Sequence, residues 1–313
     1  MVRRYAILGT GAIGGYYGAC LQQAGNDVHF LLRSDFETVK HQGLRIDSPD
    51  GNFVLPQVQA YPNVSEMPLC DVVIVALKTT QNHHLPQLLP AVLKTDGVVI
   101  VLQNGLNVEP HVARIVGGDR VIGGLCFICS NKIGPGHIQH LDYKAIALGE
   151  YADHYQPKGI TKRLDAIAQD FEQAGIPIQR TLDLMHARWR KLLWNIPFNG
   201  LSVVLDALTD AMIRHAAILT LAEDLMWEVV AIAAAYGRTL TQADIAAMIS
   251  ETETMSPYRT SMKIDYDEKR PLEVDAIVGH PLRMAQAKGV ETPKLAMLYQ
   301  QLLFLNHKNI GEI

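Results

Sequence analysis

A lysine and two asparagines recur at four-residue spacing within an otherwise apolar segment near residue 195. Lys191, Asn195 and Asn199 are separated by leucine, tryptophan, isoleucine and phenylalanine residues. In an α-helix, at about 100° per residue, the three side chains span about 80° of one face. A polar stripe on an apolar helix needs partners, which a polar substrate, a neighbouring helix or solvent can supply. The spacing therefore predicts a candidate binding surface for a polar small molecule.

An ammonium group held by a carboxylate can donate a proton to a carbonyl oxygen. A carbonyl reductase needs such a donor where negative charge develops as hydride arrives, and a lysine in a partly buried position can serve. Lys191 is the candidate donor. Glu273, at the start of an apolar helical segment, is the candidate carboxylate, although a charge that merely begins a helix is the alternative.

Pro197 removes the donor to the carbonyl of Leu193, so we expect a kink there.

A glycine-rich motif near the N-terminus predicts a dinucleotide site. It consists of Gly9, Thr10, Gly11, Ala12, Ile13 and Gly14, and it joins a β-rich run to a helical run. Glycines at this spacing allow a tight turn and bring a pyrophosphate onto the positive end of the following helix. The strand-turn-helix context favours this interpretation over a glycine-rich turn without a ligand.

The residues after the second predicted strand favour NADP over NAD. An NAD enzyme usually carries Asp or Glu there, to bind the adenosine ribose. This chain carries Arg33 and Ser34, and a guanidinium matches the 2′-phosphate of NADP bidentately, with Ser34 as a second donor. Asp35 argues slightly against NADP, and a solvated surface arginine is the alternative.

Two further polar residues follow predicted strands. Lys78 follows the third strand of the parallel set and Asn104 the fourth. The carboxyl edge of a parallel sheet is where ligands of open α/β folds bind. Both residues are therefore candidate ligand contacts, with ordinary loop residues as the alternative.

The elements that would position these residues fall into two halves. To about residue 180, β-rich runs alternate with helical stretches, and beyond residue 160 helical periodicity takes over. We predict strands over 5–9, 27–33, 71–77, 98–103, 121–131, 137–149 and 176–180, a β-hairpin over 43–61, and helices over 182–205, 218–236 and 274–288. The fold class is therefore α/β, with a Rossmann-like doubly wound sheet that binds NADP in residues 1–180 and an all-helical substrate and catalytic domain in 181–313.

Composition excludes several classes of protein. The 313 residues carry 28 Lys and Arg against 32 Asp and Glu, a net charge of -4, without a basic cluster that could follow a phosphate backbone. Apolar runs stop short of the roughly 20 residues that cross a bilayer. Four cysteines are too few for a disulfide scaffold, so we expect reduced thiols and a cytoplasmic location. Nucleic acid and membrane are therefore not expected partners.

Other motifs do not predict chemistry. Cys126 and Cys129 have CxxC spacing but fall in a predicted strand, as do His137 and His140, so no metal site is predicted. No tyrosine is followed four residues later by lysine, which excludes short-chain dehydrogenase machinery. His280 lies in a stretch patterned for packing, which disfavours a lactate-type His/Asp site.

Taken together, the motifs resemble the ketopantoate reductase (2-dehydropantoate 2-reductase) family along nearly the whole chain. The resemblance rests on the order and spacing of the glycine motif, Gln103-Asn104-Gly105, the Lys191 stripe, Leu272-Glu273-Val274-Asp275 and Gly289-Val290-Glu291-Thr292-Pro293. It implies NADPH-dependent reduction of 2-dehydropantoate to pantoate, in pantothenate and coenzyme A biosynthesis, with hydride transfer to the C2 ketone.

The resemblance also implies a role for each candidate residue. Lys191 would be the catalytic acid, and Glu273 would assist it and contact substrate. The remaining contacts would be Asn195, Asn199 and Ser261 to the keto acid, Asn104 between cofactor and substrate, and Arg33 and Lys78 to the phosphates of NADP. Trp194 and Pro197 are bulkier than many family members carry at these positions, which leaves the size of the substrate open.

Three alternatives remain at this point. One is a paralogous reductase of another 2-oxo acid. Another is a β-hydroxyacid dehydrogenase, which also uses Lys with Asn four residues on but is disfavoured by Asn199, Ser261 and Glu273. The third is a non-catalytic NADP-binding sensor. In each reductase the partner is a small-molecule 2-oxo acid, and the apolar helices of the second half offer a face for a homodimer.

Overall fold

The computed structural model describes residues 2–313, which form two compact units. The first unit takes in the chain up to Gln103 together with Val108–Leu184, and the second takes in Asn104–Asn107 and Met185–Ile313. The division thus falls at Leu184, slightly beyond the residue 180 expected from the sequence. The short segment Asn104–Asn107, inside the first half of the sequence, belongs with the second unit.

The first unit is built on one mixed ten-stranded sheet. Its strands are β1 (Arg4–Leu8), β2 (Asp27–Leu31), β3 (Leu44–Asp47), β4 (Phe53–Leu55), β5 (Gln59–Tyr61), β6 (Cys70–Val75), β7 (Leu93–Val101), β8 (Val121–Gly134), β9 (His137–Glu150) and β10 (Ile178–Arg180). The helices of this unit are α1 (Ala12–Gln23), α2 (Phe36–Gln42), α3 (Leu85–Val92), α4 (Val108–Val116) and α5 (Lys162–Gln173).

The strand order places a switch in connectivity beside β1. The order across the sheet is β4-β3-β9-β8-β7-β6-β1-β2-β5, with β10 paired to β9. From β5 to β8 all neighbours are parallel, and Tyr5 of β1 stands between Val28 of β2 and Val72 of β6. Strands β2 and β5 lie on one side of β1, and the later strands β6, β7 and β8 lie on the other. The crevice beyond the carboxyl ends of β1 and β6 is the ligand position of a doubly wound sheet. The Rossmann-like α/β fold predicted from the sequence is confirmed.

The predicted hairpin over 43–61 is correct only in part. Strands β3 and β4 pair antiparallel, with Leu44 opposite Leu55. The following strand β5 leaves them and pairs parallel with β2 at the opposite edge of the sheet. Pro56, next after Leu55, has no N–H to continue the ladder, which explains why the hairpin ends there. The strands predicted on either side of the 134–136 turn form the antiparallel pair β8 and β9.

The second unit is helical. Its elements are α6 (Leu184–Trp194), a π segment (Asn195–Asn199), α7 (Gly200–Val204), α8 (Thr209–Arg214), α9 (Ala216–Ala235), α10 (Gln242–Thr254), α11 (Ser261–Asp267), a second π segment (Asp275–Gly279), α12 (His280–Ala287) and α13 (Pro293–Asn309). The kink expected at Pro197 takes the form of the first π segment. Because the proline cannot donate to the carbonyl of Leu193, the helix widens to i→i+5 bonding instead of breaking.

Candidate active site

The three glycines of the motif have three different physical reasons to be glycine. Gly9 follows β1 with φ +103°, and a Cβ there would lie 2.5 Å from the backbone nitrogen of Leu77, after β6. At Gly14 a Cβ would lie 2.3 Å from the carbonyl oxygen of Gly9. At Gly11 no atom lies within 4 Å of the position that a Cβ would take, so the backbone there faces open space. This is the arrangement that lets a pyrophosphate approach the backbone closely.

The start of α1 is open to an anion. Gly11 is the N-cap residue, and no side chain caps the first turn of this helix. Thr10 donates from Oγ1 to the carbonyl of Leu31 at 2.9 Å, which ties the glycine loop to the end of β2. The first N–H groups of α1 and its positive dipole end therefore provide a cradle that fits a phosphate group. Ala12 and Ile13 form the first turn and are half-buried.

The loop after β2 separates its charged residues. The guanidinium of Arg33 is exposed and forms no hydrogen bond or ion pair within residues 2–313. Asp35 is buried and forms an ion pair with Lys132 Nζ at 2.5 Å. The hydroxyl of Ser34 donates to Asp35 Oδ1 at 3.1 Å, so its proton is committed within the loop. Arg33 thus remains a candidate for a phosphate, whereas the contact made by Ser34 does not support its role as a second phosphate donor.

Lys78 lies three residues beyond the end of β6, the strand beside β1. It is half-buried and precedes the turn at Thr79–His84. Gln103, two residues after the end of β7, donates from Nε2 to the carbonyl of Leu77 at 2.8 Å and to Asn82 Oδ1 at 2.6 Å. Gln103 therefore ties the loop after β6 to the end of β7. Its role was not predicted from the sequence, although it directly precedes Asn104 in the same motif.

The segment Asn104–Asn107 is docked onto the second π segment. The amide of Leu106 donates to the carbonyl of Ala276 at 2.9 Å. Gly105 has φ +87°, and a Cβ on it would lie 2.3 Å from the same carbonyl oxygen. In i→i+5 bonding the carbonyl of Ala276 would receive the amide of residue 281, but Pro281 has none. The carbonyl is therefore available to Leu106, and Asn104 is held in the second unit.

The stripe of Lys191, Asn195 and Asn199 runs from α6 through the first π segment. Lys191 is half-buried, whereas Asn195 is 4% and Asn199 1% exposed. Buried carboxamides require hydrogen-bonding partners. The first π segment packs against the second and against α11. Asn195 and Asn199 are therefore brought beside α11, which begins at Ser261, and beside the π segment that begins two residues after Glu273.

Asn199 and Ser261 are in direct contact. Asn199 Oδ1 accepts hydrogen bonds from Ser261 Oγ at 3.4 Å and from the amide of Met262 at 3.3 Å. Behind this contact, the hydroxyl groups of Ser202 and Thr260 lie 2.8 Å apart, and both residues are fully buried. Thr260 also caps α11 by accepting from the amide of Lys263. Neither the cap at Thr260 nor its pairing with Ser202 was predicted from the sequence.

Glu273 is held by its backbone. The residue is 5% exposed, and its carbonyl accepts from the amide of Ile277 at 3.2 Å, which begins the helical path through the second π segment. Just before it, the amide of Leu272 donates to Asn306 Oδ1 of α13 at 2.8 Å. Asn306 therefore positions the start of this segment, and nothing in the spacing of the sequence pointed to it.

Six of the candidate side chains belong to the second unit: one ammonium, one buried carboxyl group, three carboxamides and one hydroxyl group. They are Lys191, Glu273, Asn104, Asn195, Asn199 and Ser261. The glycine motif, Arg33 and Lys78 belong to the first unit. Donor groups of this kind match the oxygens of a keto acid, and an ammonium supplies an acid to a carbonyl oxygen.

Metal-ligand groups and bilayer-spanning helices are two arrangements that residues 2–313 do not contain. No group of three or more His, Cys, Asp or Glu side chains there is placed to hold a metal ion. None of the helices there has both the length and the apolar character required to span a bilayer. His137 pairs with Asp47 and His140 with Ser48, each at the β3 end of the sheet.

Two family models match the chain. The model described as "Ketopantoate reductase PanE/ApbA" matches residues 5–153, and "Ketopantoate reductase PanE/ApbA C terminal" matches residues 183–306. Together they cover both units.

Individual relatives match over nearly their full length. A protein of Nostoc sp. named 2-dehydropantoate 2-reductase is 59% identical over 98% of this chain and 96% of its own. The crystal structure of 2-dehydropantoate 2-reductase from Geobacter metallireducens is 40% identical, with a TM-score of 0.92 over 96% of this chain and 99% of that one. The enzyme of that name from Methylococcus capsulatus is 32% identical, with a TM-score of 0.87 over 98% and 97%. The chain therefore belongs to the ketopantoate reductase PanE/ApbA family.

Proposed function

We propose that this protein is an oxidoreductase that reduces 2-dehydropantoate to pantoate with NADPH, a step of pantothenate and coenzyme A biosynthesis. The observation that carries the proposal is the 59% identity, over 98% of the chain, to a protein named 2-dehydropantoate 2-reductase. The contact of Asn199 with Ser261 and the docking of the Asn104 segment onto the second π segment also support it.

The residues of the first unit fit NADPH. The open backbone at Gly11 and the uncapped start of α1 suit the pyrophosphate. Arg33 suits the 2′-phosphate, because it is exposed and has no ionic partner in the described residues. Lys78 suits a further phosphate oxygen. When bound, NADPH supplies the hydride. We accordingly propose residues 1–180 as the NADP-binding domain and 181–313 as the helical substrate and catalytic domain.

The residues of the second unit supply the rest of the chemistry. The oxygen of the C2 carbonyl becomes negative as the carbon accepts hydride, and the Lys191 ammonium donates the proton that completes the hydroxyl group. Glu273 holds that ammonium in place and contacts the substrate. Asn104, Asn195 and Ser261 donate hydrogen bonds to the keto acid, as does the Nδ2 group of Asn199, whose oxygen is occupied by α11.

We propose a cytoplasmic homodimer. Trp227 of α9 is 43% exposed, and Ala231 and Ala234 on the same helix are exposed beside it along one face. An exposed apolar face of this kind is typical of a subunit interface. The four cysteines are buried thiols, as expected of a protein of a reducing compartment. Light scattering of the chain and of Trp227→Glu tests the dimer, which should dissociate in the variant.

The experiment that tests the reaction follows NADPH oxidation by absorbance with a panel of 2-oxo acids. NADPH-specific turnover that is fastest with 2-dehydropantoate supports the proposal. Faster turnover of another 2-oxo acid indicates a paralogous reductase. Reduction of NADP+ by β-hydroxy acids, assayed in the reverse direction, together with no turnover of the 2-oxo acids, indicates a β-hydroxyacid dehydrogenase. Tight NADPH binding without any turnover indicates a sensor. Each of the last three results overturns the proposed reaction.

A further inference from the structure

An acidic residue lies in the loop where a dinucleotide-binding sheet distinguishes NAD from NADP. Asp35 stands two positions after Arg33, beyond the end of β2. A free carboxylate in this region suits the ribose hydroxyl of NAD and repels the 2′-phosphate of NADP. The presence of Asp35 beside Arg33 therefore needs a physical explanation in a chain proposed to use NADPH.

The oxygens of Asp35 are already occupied. Oδ2 lies 2.5 Å from Lys132 Nζ and accepts from the amide of Gly136 at 2.9 Å, and Oδ1 accepts from the hydroxyl of Ser34 at 3.1 Å. The side chain of Asp35 is 6% exposed, whereas that of Lys132 is 32% exposed. Lys132 and Gly136 come from the β8–β9 hairpin, about one hundred residues further along the chain. The partners of Asp35 therefore depend on the fold and were invisible to sequence reasoning.

The Asp35–Lys132 pair is ionic, because the carboxyl group of Asp35 is not protonated. Burial alone would raise the pKa of Asp35, but the hydrogen bond from Lys132 and the amide of Gly136 bring that pKa below its usual value. The carboxyl group is therefore ionised at neutral pH, and its charge is balanced by the ammonium of Lys132. Arg33 is left without an ionic partner among residues 2–313, so the loop carries its single positive charge outward.

We propose that Lys132 is a positioning residue for coenzyme specificity, which neutralises Asp35 so that Arg33 meets the 2′-phosphate of NADPH without competition from a carboxylate. The inference rests on the proposed use of NADPH. Without Lys132, the buried carboxylate would repel the additional phosphate of NADPH and attract the guanidinium of Arg33. NADH lacks this phosphate, so its binding should change much less.

The test measures dissociation constants of NADPH and NADH, by nucleotide fluorescence and without substrate, for the full chain and for Lys132→Met. The ratio of NADPH affinity to NADH affinity should fall on the order of tenfold in K132M at low ionic strength, and the loss should shrink as salt is added. K132R should keep the ratio. K132M/D35N, which removes both charges, should restore it.

A matched control is available elsewhere in the same sheet. Lys94 pairs with Asp71 at 2.6 Å and its side chain is 37% exposed, but both residues lie toward the amino ends of β7 and β6, away from the carboxyl edge. K94M therefore removes an equal charge and a similar ion pair. Its NADPH to NADH ratio should stay at the wild-type value.

Three results would overturn the proposal: an unchanged ratio in folded K132M, an equal fall in K94M, or failure of K132M/D35N to restore the ratio. If K132M does not fold, D35N provides the test. Its side-chain amide oxygen can still accept from the amide of Gly136, and the ratio of NADPH affinity to NADH affinity should rise because the negative charge is removed. An unchanged ratio in D35N overturns the proposal. A wild-type chain that does not prefer NADPH overturns the proposed coenzyme itself, which is a different result from a preference that Lys132 does not influence.

Discussion

The side-chain oxygen of Asn199 faces Ser261, and it accepts from both the hydroxyl of that residue and the following amide, that of Met262. Asn199 is 1% exposed, so this contact is buried. The asparagine therefore fixes the first turn of α11, which carries Ser261, and keeps its Nδ2 group as a donor to another partner. One residue of the stripe thus serves both the packing of the second unit and, by proposal, the substrate.

Because Asn199 has these two roles, two substitutions of it should have different effects. Asn199→Asp keeps an oxygen for α11 but replaces the NH2 donor by a negative oxygen, so it should raise KM for 2-dehydropantoate more than tenfold by repelling the substrate carboxylate. Asn199→Ala should in addition lower the melting temperature, because the buried amide of Met262 and the half-buried hydroxyl of Ser261 lose their acceptor. Steady-state kinetics and thermal melts of both variants check this. An N199D enzyme with wild-type KM would contradict the assignment.

Gly105 should be unable to accept a methyl group without moving Asn104. Its φ of +87° strains any other residue, and a Cβ would lie 2.3 Å from the carbonyl oxygen of Ala276. Gly105→Ala should therefore cost about 1–3 kcal/mol of unfolding free energy and lower kcat. Gly289 is the matched control, with φ +65° and no atom within 4 Å of the added methyl. Gly289→Ala should cost stability alone. Equal kcat losses in the two variants, measured beside urea unfolding, would refute the docking role of Gly105.

The sequence predicts the elements whose causes are local. The glycine motif carries its own geometry, since Gly9, Gly11 and Gly14 each meet a need of the strand-turn-helix unit. Pro197 likewise predicts a disturbance in its helix, because the missing N–H is visible in the sequence. That the disturbance is a π segment depends on what packs around it, which is a tertiary effect.

Partners from distant segments are the part that sequence alone could not predict. Lys132 reaches Asp35 only because β8 and β9 form a long hairpin, and Asn306 reaches Leu272 only because α13 returns along the second unit. The pairing of β5 with β2 was not predicted for a similar reason, since a strand of three residues can pair with any free edge of the sheet. Such pairings are decided by topology and not by spacing.

Lys191→Ala should lower kcat by about 10²- to 10⁴-fold while leaving the NADPH dissociation constant near its wild-type value. The reason is that Lys191 belongs to the second unit, whereas the glycine motif belongs to the first. Lys191→Arg should also be slow, because a guanidinium keeps its proton. Arg190, which precedes Lys191 on the same helix, pairs with Asp244 at 3.7 Å and with Glu251 at 3.9 Å, so Arg190→Met serves as the control and should retain turnover. Stopped-flow rates with NADPH titrations measure both quantities, and near-normal turnover in K191A would disprove the proposed acid.

Arg33→Ala should weaken NADPH binding far more than NADH binding, because its guanidinium is proposed to contact only the additional phosphate. The expected loss is on the order of tenfold to a hundredfold for NADPH. Arg45, exposed on β3 and paired with Asp47 at 3.0 Å, provides a control arginine in the same unit. Arg45→Ala should change neither constant in fluorescence titrations. Equal losses for the two nucleotides in R33A would remove Arg33 from the phosphate site.

His29 should make the unfolding free energy depend on pH. Burial lowers the pKa of His29, although the nearby carboxylate of Asp27 opposes the shift, and the ring also contacts the hydroxyl of Tyr61 at 2.9 Å. Because the folded pKa lies below the unfolded value of about 6.5, the unfolded chain binds more protons in the interval between them. Stability should therefore fall as the pH is lowered through about 6.5, until the folded pKa is reached. Urea unfolding from about pH 7.5 to about pH 5 should show a shallower fall for His29→Gln than for wild type. Identical slopes for wild type and H29Q would show that this buried ring is not a source of the acid sensitivity.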